Sequence, residues 1–341
     1  MRVLVTGGAG FIGSHVVDAY VAAGHEVVVA DDLSTGRRAN VNPAAEFIPI
    51  DITSPHLADL FAGRGFDVVN HHAAQVDVRR SVADPVADAG VNIGGTLRLL
   101  ELCRRHGVRG VIFISSGGAI YGEHAPVPTP EVVPPRPVSP YGVSKFAGER
   151  YVDYYQTVHG IPSVILRYAN VYGPRQDPHG EAGVVAIFCQ RLIAGEAPII
   201  YGDGDQTRDF VFVGDVAAAN IRALGILNDL EPGADGPAVF NIGTGTETTV
   251  NGLLSELSVV VKKVIAPKYA PARPGEQRRS AVDASRAREF LGWTPSVSLT
   301  EGLTRTLAWF RERSPKAPSN QPSAPTPAGT DVRTVGSPIV L

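Results

Sequence analysis

The stretch RVLVTGGAGFIGSH at the start of the chain limits its possible folds more than any other segment. The run Arg2-Val3-Leu4-Val5-Thr6 has the apolar, β-branched character of a buried strand. It stops at Gly7, Gly8, Gly10 and Gly13, and a helical apolar period then runs from Phe11 to Ala23. A chain of this kind turns tightly, brings bare backbone against an anion, and opens a helix whose N–H groups and dipole face that anion. Side chains would obstruct each step. G-x-G-x-x-G at Gly8, Gly10 and Gly13, between a strand and a helix, is the fingerprint of a dinucleotide pyrophosphate cradle, so Gly7, Gly10, Phe11, Ile12 and Gly13 are expected at a cofactor. The next apolar run, EVVVAD, ends in Asp31. A carboxylate there accepts from the ribose hydroxyls and repels a 2′-phosphate, which selects NAD over NADP, and Asp32 adds to the repulsion. Asp51 and Ile52, read as the end of the following strand, are candidates for the adenine edge, with a plain strand cap as the other reading of Asp51.

The same rhythm continues through FDVVNHH, a helical segment from Asn92 to His106, GVIFIS, a second helical segment from Tyr141 to His159, and SVILRY. Strands that are apolar throughout are buried on both faces, which implies an α/β chain with a doubly wound parallel sheet of the Rossmann type. From Asn170 onward Gly and Pro break the order, as in VYGPRQDPHGEAG and YAPARPGEQRR. The expected division is an NAD-binding domain over 1–169 and a smaller mixed substrate domain, built largely from loops, over 170–313. Within the latter, 210–243 is expected to return to the main sheet through DFVFV and AVFNIG. Residues 314–341, rich in Pro and Ser, are expected to form a flexible tail.

The net charge of −3, from 31 basic and 34 acidic residues, supplies no concentrated positive field for nucleic acid or an anionic membrane and favours a small ligand. No apolar stretch approaches the roughly 20 residues needed to span a bilayer. MRVLVTGG enters a strand without the regions of an export signal, so a soluble cytoplasmic protein is expected. Cys103 and Cys189 form no CxxC pair and read as buried thiols in a reducing compartment, with no metal role.

In SPYGVSK, Ser139 is placed to cap a helix and Pro140 to open it, which sets Tyr141 and Lys145 one turn apart on one face. A tyrosine with its usual pKa near 10 is a poor base at neutral pH, and an adjacent ammonium favours the phenolate. Together with TGGAGFIGSH, DDLSTG, HHAAQ, VNIGGTLRLLE, SSGGAIYGE, LRYANVYGPRQDPHGEAG, GDGDQTRDFVFVGDVA and FNIGTG, this segment resembles the extended short-chain dehydrogenase/reductase family. Within that family the likeness is to the nucleotide-sugar epimerases of the UDP-glucose 4-epimerase type, and it covers nearly all of residues 1–313. The resemblance implies that Ser81 and Asn92 lie near the cofactor, that Lys145 also holds the nicotinamide ribose, and that His72, Ala73 and Ala74 pass close to the dinucleotide. It further implies that Tyr168 packs by the nicotinamide, that Asn170 bonds the sugar or its diphosphate, that Arg208 and Arg273 clamp the diphosphate, and that Glu276 accepts from the uridine ribose. By the same resemblance, helices beginning at Asn92 and Tyr141 pair across the axis of a homodimer.

The segment SSGGAIYG, residues 115–122, discriminates among the family's chemistries. Members that remove water from a sugar carry an Asp-Glu pair just before the Tyr-Gly, and those that decarboxylate a UDP-glucuronate carry a Glu nearby, whereas these positions hold Gly118 and Ala119 here. What remains is 4-epimerisation of a UDP-hexose, either UDP-glucose/UDP-galactose or UDP-glucuronate/UDP-galacturonate, through a 4-keto sugar with Tyr141 as base. A dehydrogenase or reductase that releases its cofactor and a non-catalytic NAD sensor are the alternatives. Arg175 and Arg191 are the cations considered for a C6 carboxylate. The chain departs from the family pattern at Gly117, where a catalytic hydroxyl is usual; Ser116 is the nearest replacement, and it could equally cap the strand end.

Overall fold

The computed structural model describes residues 1–178, 183–227, 229–230, 236–272 and 277–313. The first half runs β1 (Arg2–Thr6), α1 (Phe11–Ala22), β2 (Glu26–Asp31), β3 (Glu46–Pro49), α2 (Leu57–Phe61), β4 (Val68–His71), α3 (Val78–Ala83) and α4 (Pro85–Ala89). A π turn (Gly90–Gly95) then leads into α5 (Thr96–Arg105), followed by β5 (Gly110–Ser116), α6 (Gly117–Ile120), α7 (Pro140–His159) and β6 (Ser163–Tyr168). The second half adds β7 (Asn170–Tyr172), α8 (Val184–Ile193), β8 (Ile199–Tyr201), β9 (Thr207–Arg208), β10 (Phe210–Phe212) and α9 (Val213–Ile226). It ends with β11 (Ala238–Ile242), β12 (Thr248–Thr249), α10 (Val250–Val261), β13 (Lys268–Ala270), α11 (Ser285–Leu291) and α12 (Leu299–Arg313).

Seven strands form one sheet in the order β3-β2-β1-β4-β5-β6-β11, with every pairing parallel. Successive side chains point to opposite faces, so Val3 and Val5 join a core with Val16, Val17 and Tyr20, while Leu4 joins the opposite core with Leu99, Phe113 and Val152. The doubly wound fold follows from strands buried on both sides. Strand order reverses between β1 and β4, and in open parallel sheets ligands bind beyond the carboxyl ends at such a point.

The later half differs from the expectation in two respects. AVFNIG returns to the sheet as β11, but DFVFV does not: β10 pairs with β7 in a separate two-stranded parallel sheet. The outer edge of β6 is already taken by β11, so the extension β7 is the available partner. Nor is this half built largely from loops, since α8, α10 and α12 bury Phe188, Leu253, Leu257, Leu303 and Leu307 in a continuous core. Two local boundaries also move. β3 ends at Pro49, before Asp51 and Ile52, and the helix read from Asn92 begins as a π turn. The expected tail at 314–341 lies outside the described residues.

A directed hydrogen-bond chain ties the two strand ends to this π turn. Thr96 Oγ1 donates to the Asn92 carbonyl at 2.6 Å, so its oxygen accepts from His71 Nε2 at 3.0 Å. His71 Nδ1 then accepts from Thr6 at 2.7 Å, and the Thr6 oxygen accepts from the Ala73 N–H at 3.3 Å. This polarity fixes the His71 tautomer. Burial, with the Lys145 ammonium nearby, pushes the His71 pKa down to about 3. The folded state therefore keeps His71 neutral while the unfolded chain takes a proton below about pH 6.5, so stability is lost as pH falls, by about 1.4 kcal/mol per pH unit for this group. Denaturant unfolding between pH 7 and pH 5 is expected to show that decline, and His71→Gln to make it shallower by about that slope.

Candidate active site

The cradle has little room for anything but backbone. Gly7 adopts φ +70°, and a Cβ there would lie 2.6 Å from the Ala73 nitrogen. A Cβ on Gly13 would meet the Gly7 carbonyl, and Gly10 precedes α1 with no side chain capping the helix start. The α1 terminus that follows, at Phe11 and Ile12, thus faces a bare turn. Asp31, only 7% exposed, accepts from the Ala9 N–H at 2.9 Å and the Leu33 N–H at 2.8 Å. Burial raises its pKa, and these hydrogen bonds oppose the rise. The carboxylate therefore braces the cradle. Asp32 instead folds onto Ser34, accepting from its N–H and its hydroxyl at 2.9 and 2.7 Å.

His72, Ala73 and Ala74 leave β4 beside Gly7, at the point where strand order reverses. His72 Nε2 is buried without a hydrogen-bond partner. Burial and the Lys145 charge hold this imidazole neutral, with a pKa of about 3. Its ring centroid lies 6.3 Å from that of Tyr168, whose hydroxyl accepts from Asn220 Nδ2 at 2.7 Å. Burial keeps Tyr168 well above the ordinary phenol range, so it is not a proton acceptor. Ile52 packs on the π turn, where a Cβ on Gly95 would lie 2.6 Å from Ile52 Cδ1, and Asp51 accepts from the Thr53 N–H at 2.7 Å as a local cap.

Ser139 caps α7 as its sequence suggests, accepting from the Gly142 N–H at 3.1 Å, with Pro140 in the first turn. The Tyr141 N–H donates to Ser81 Oγ at 3.1 Å, so Ser81 anchors the start of the helix. A Cβ on Gly142 would lie 2.6 Å from the Ala119 carbonyl, which brings the Tyr141 turn against α6. Lys145, 6% exposed, has Nζ 4.7 Å from the centroid of the Phe113 ring. Burial lowers its pKa to about 8, opposed by Glu149 and Asp88, so the ammonium form prevails at neutral pH. The Asn92 amide donates to the Gln75 carbonyl, Asp88 and Ser144, and its oxygen accepts from the Gln75 N–H. Both amide hydrogens are thus engaged within the protein, and Asn92 orders this corner rather than offering a free donor.

At the end of β5, Ser116 stands opposite Tyr168 in register and makes no capping hydrogen bond to α6. A Cβ on Gly118 would lie 4.0 Å from Ser116 Oγ and 3.7 Å from Asn170 Oδ1, so hydroxyl and amide flank one point. Asn170 Oδ1 and Ser115 Oγ are buried without a hydrogen-bond partner. Gly117 cannot carry the family's usual hydroxyl without displacement, because its Cβ would lie 2.8 Å from Val282 Cγ1. Arg208 donates to the Thr207 and Gln277 carbonyls at 2.7 and 2.9 Å. Arg273 and Glu276 lie outside the described residues. The cations considered for a carboxylate are engaged elsewhere: Arg175 pairs with Asp18 at 2.7 Å, and Arg191 with Glu196 at 3.1 Å.

Two important groups escaped the sequence reading. Asp209, fully buried, accepts from Thr244, Gly245 and Val282 and so joins three segments behind the site. Val282 fills the place beside Gly117. An acid inside TRDFVFV was the only available signal for Asp209, and none existed for Val282.

Residues 3–243 match the model of the NAD dependent epimerase/dehydratase family. The UDP-glucose 4-epimerase of Mycolicibacterium smegmatis is 48% identical over 319 residues, covering 92% of this chain and 100% of the relative. Among solved structures, the Thermotoga maritima UDP-glucose 4-epimerase with UDP-glucose superposes with a TM-score of 0.86 at 47% identity, covering 92% of this chain and 99% of the other. The Thermus thermophilus UDP-glucose 4-epimerase complex with NAD gives 0.84 at 44% identity, with 92% and 100% coverage. With a bare-backbone cradle, a buried ammonium one turn from Tyr141 and this extent of likeness, the chain belongs to the NAD dependent epimerase/dehydratase family.

Proposed function

We propose that the protein is a UDP-hexose 4-epimerase, an isomerase that works with tightly bound NAD. The observation that carries this reading is the strand-end wall: Ser116 and Asn170 flank a bare Gly118, α6 carries no acid, and the Tyr141 turn lies against it. Such a site can exchange one proton and one pair of electrons at a carbinol, and it lacks the acid pair a dehydratase uses. The chain's own groups fit the cofactor. The bare turn at Gly7, Gly10 and Gly13 with the α1 terminus at Phe11 and Ile12 would hold the pyrophosphate, Asp31 the ribose, and Ile52 the adenine side. His72, Ala73, Ala74, Tyr168, Tyr141 and Lys145 would surround the nicotinamide end, where His72 Nε2 is an open polar group.

Bound NAD supplies a two-electron acceptor at C4 that returns what it takes, so the reaction has no net redox change. Tyr141 takes the C4 hydroxyl proton and later gives it back, and the Lys145 ammonium lowers the cost of its phenolate. Ser116 bonds the C4 oxygen. Gly118 and Ala119 leave clearance for the sugar ring to present its other face, while Asn170 and Arg208 hold the diphosphate. Arg273 and Glu276 keep their proposed diphosphate and uridine-ribose roles from motif position.

The partner of one chain is a second copy. Val143, Tyr151, Tyr154 and Val158 form an exposed stripe at helical spacing on α7, 51%, 37%, 48% and 58% exposed, and α4 adds Val86 at 81%. A homodimer through this face is proposed, and Tyr154→Glu should sediment as a monomer. No helix among the described residues is long and apolar enough to cross a membrane, and the buried free thiols Cys103 and Cys189 suit a reducing cytoplasm.

The deciding experiment incubates the protein separately with UDP-glucose and UDP-glucuronate and reads product stereochemistry by NMR. Inversion at C4 without net NADH is expected; accumulating NADH would point to a dehydrogenase instead. Tyr141→Phe should lower kcat at least about 1000-fold. Ser116→Ala should lower it about tenfold or more, and an unchanged kcat would remove Ser116 from the site.

A further inference from the structure

A buried ion pair lies one turn beyond Lys145 and one residue before Tyr168, away from the groups that face the sugar. Glu149 is 0% exposed and Arg167 4%. Arg167 Nε and Nη2 donate to the two carboxylate oxygens at 2.9 and 2.6 Å. Its Nη1 donates to the Tyr121 hydroxyl at 2.8 Å, which donates to Asn241 Oδ1 at 2.8 Å. The Asn241 amide donates to the Thr129 and Asp283 carbonyls, and its N–H donates to Glu131. The network joins α7, β6, β11 and the residue that closes α6, beneath the wall that carries Gly117 to Ile120.

A buried ion pair is weak evidence of stabilisation, because desolvation offsets the attraction. Its position suggests a different use. We propose that Glu149, gripped by the Arg167 fork one turn from Lys145 on α7, is a positioning residue whose carboxylate supports the Lys145 ammonium inside the protein and so keeps Tyr141 competent as a base. The groups that face Lys145 are Glu149 on α7, Asp88 on α4, His71 and His72 at the end of β4, and the Phe113 ring on β5, with Tyr141 one turn earlier on α7. Both histidines are neutral, so the supporting anions among the described residues are Glu149, the larger influence, and Asp88. Arg167 holds both Glu149 oxygens, and Tyr121 and Asn241 orient Arg167. The role rests on the epimerase reading and concerns how the site holds its charge.

The test is kcat for epimerisation against pH, with bound NAD and melting temperature measured alongside, for the wild type, Glu149→Gln, Glu149→Asp and the double variant Glu149→Gln/Arg167→Met. Turnover by the wild type tests the epimerase reading; the position of the alkaline limb in the variants tests Glu149. The wild-type limb should lie near pH 8, where the Lys145 ammonium is lost. In Glu149→Gln it should move down by about one pH unit, whereas Glu149→Asp, which keeps the charge, should leave it in place. The double variant removes both charges and leaves none buried unpaired, so it should melt near the wild type and show a smaller downward shift of the limb, because the opposing Arg167 charge is lost with the carboxylate. If Glu149→Gln does not fold, the double variant decides. A wild-type limb in either folded variant that lacks the carboxylate overturns the proposal.

Discussion

The site depends on the close approach of two strand ends at the reversal of the sheet. The Gly7 N–H bonds the Ala30 carbonyl at 2.8 Å, the His72 N–H bonds the Thr6 carbonyl at 3.0 Å, and Gly7 passes so near Ala73 that any Cβ would strike its nitrogen. β1, β2 and β4 therefore end in one fixed arrangement. The glycine turn, Asp31 and His72 are all short continuations of it. A cradle built this way is organised before any ligand arrives, because its shape comes from ladder hydrogen bonds and left-handed glycine rather than from side chains that must be ordered.

Charge is then placed one layer behind that backbone. Lys145 is a buried cation packed on an aromatic ring, and its two histidine neighbours are held neutral, one of them in a tautomer fixed by Thr6 and Thr96. Burying an ammonium is unfavourable unless anions compensate, and Glu149 and Asp88 do so from different helices. Asp88 is met by neutral amides of Gln75 and Asn92, whereas Glu149 is met by a guanidinium. The wall facing the sugar carries no carboxylate of its own, so the carboxylates that tune the site act through Lys145.

Much of this was legible in the chain. The strand-glycine-helix opening, the apolar runs of β1, β2, β4, β5 and β6, and the Ser139-Pro140 helix start all follow from local rules, because each concerns residues within one turn or one strand of each other. What the chain did not announce concerns contacts that a local pattern does not encode. DFVFV has the pattern of any buried strand, and only the prior occupation of the β6 edge by β11 sends it to β7. Asp32 and Asp31 look alike in sequence, but Asp32 is absorbed by the turn to Ser34. Arg175 and Arg191 are candidate cations in sequence, and their ion pairs with Asp18 and Glu196 appear only in the fold. Nothing local announces that Glu149 and Arg167, separated by a helix end and a strand, meet in the interior.

The missing hydroxyl at Gly117 has a physical cause that also bears on the chemistry. Val282 occupies the volume a side chain at this position would need, and the Val282 N–H is pinned by Asp209, so the valine cannot easily withdraw. Ser116, one residue earlier, carries the nearest hydroxyl on this strand end. Gly118 places no side chain there, and a Cβ at this position would lie 3.7 Å from Asn170 Oδ1 and 4.0 Å from Ser116 Oγ. Epimerisation asks that a flat ketone present either face to one fixed proton donor, which needs open space on the side where other chemistries install an acid. A glycine at position 118 meets that demand directly: it withholds the side-chain acid that dehydration requires.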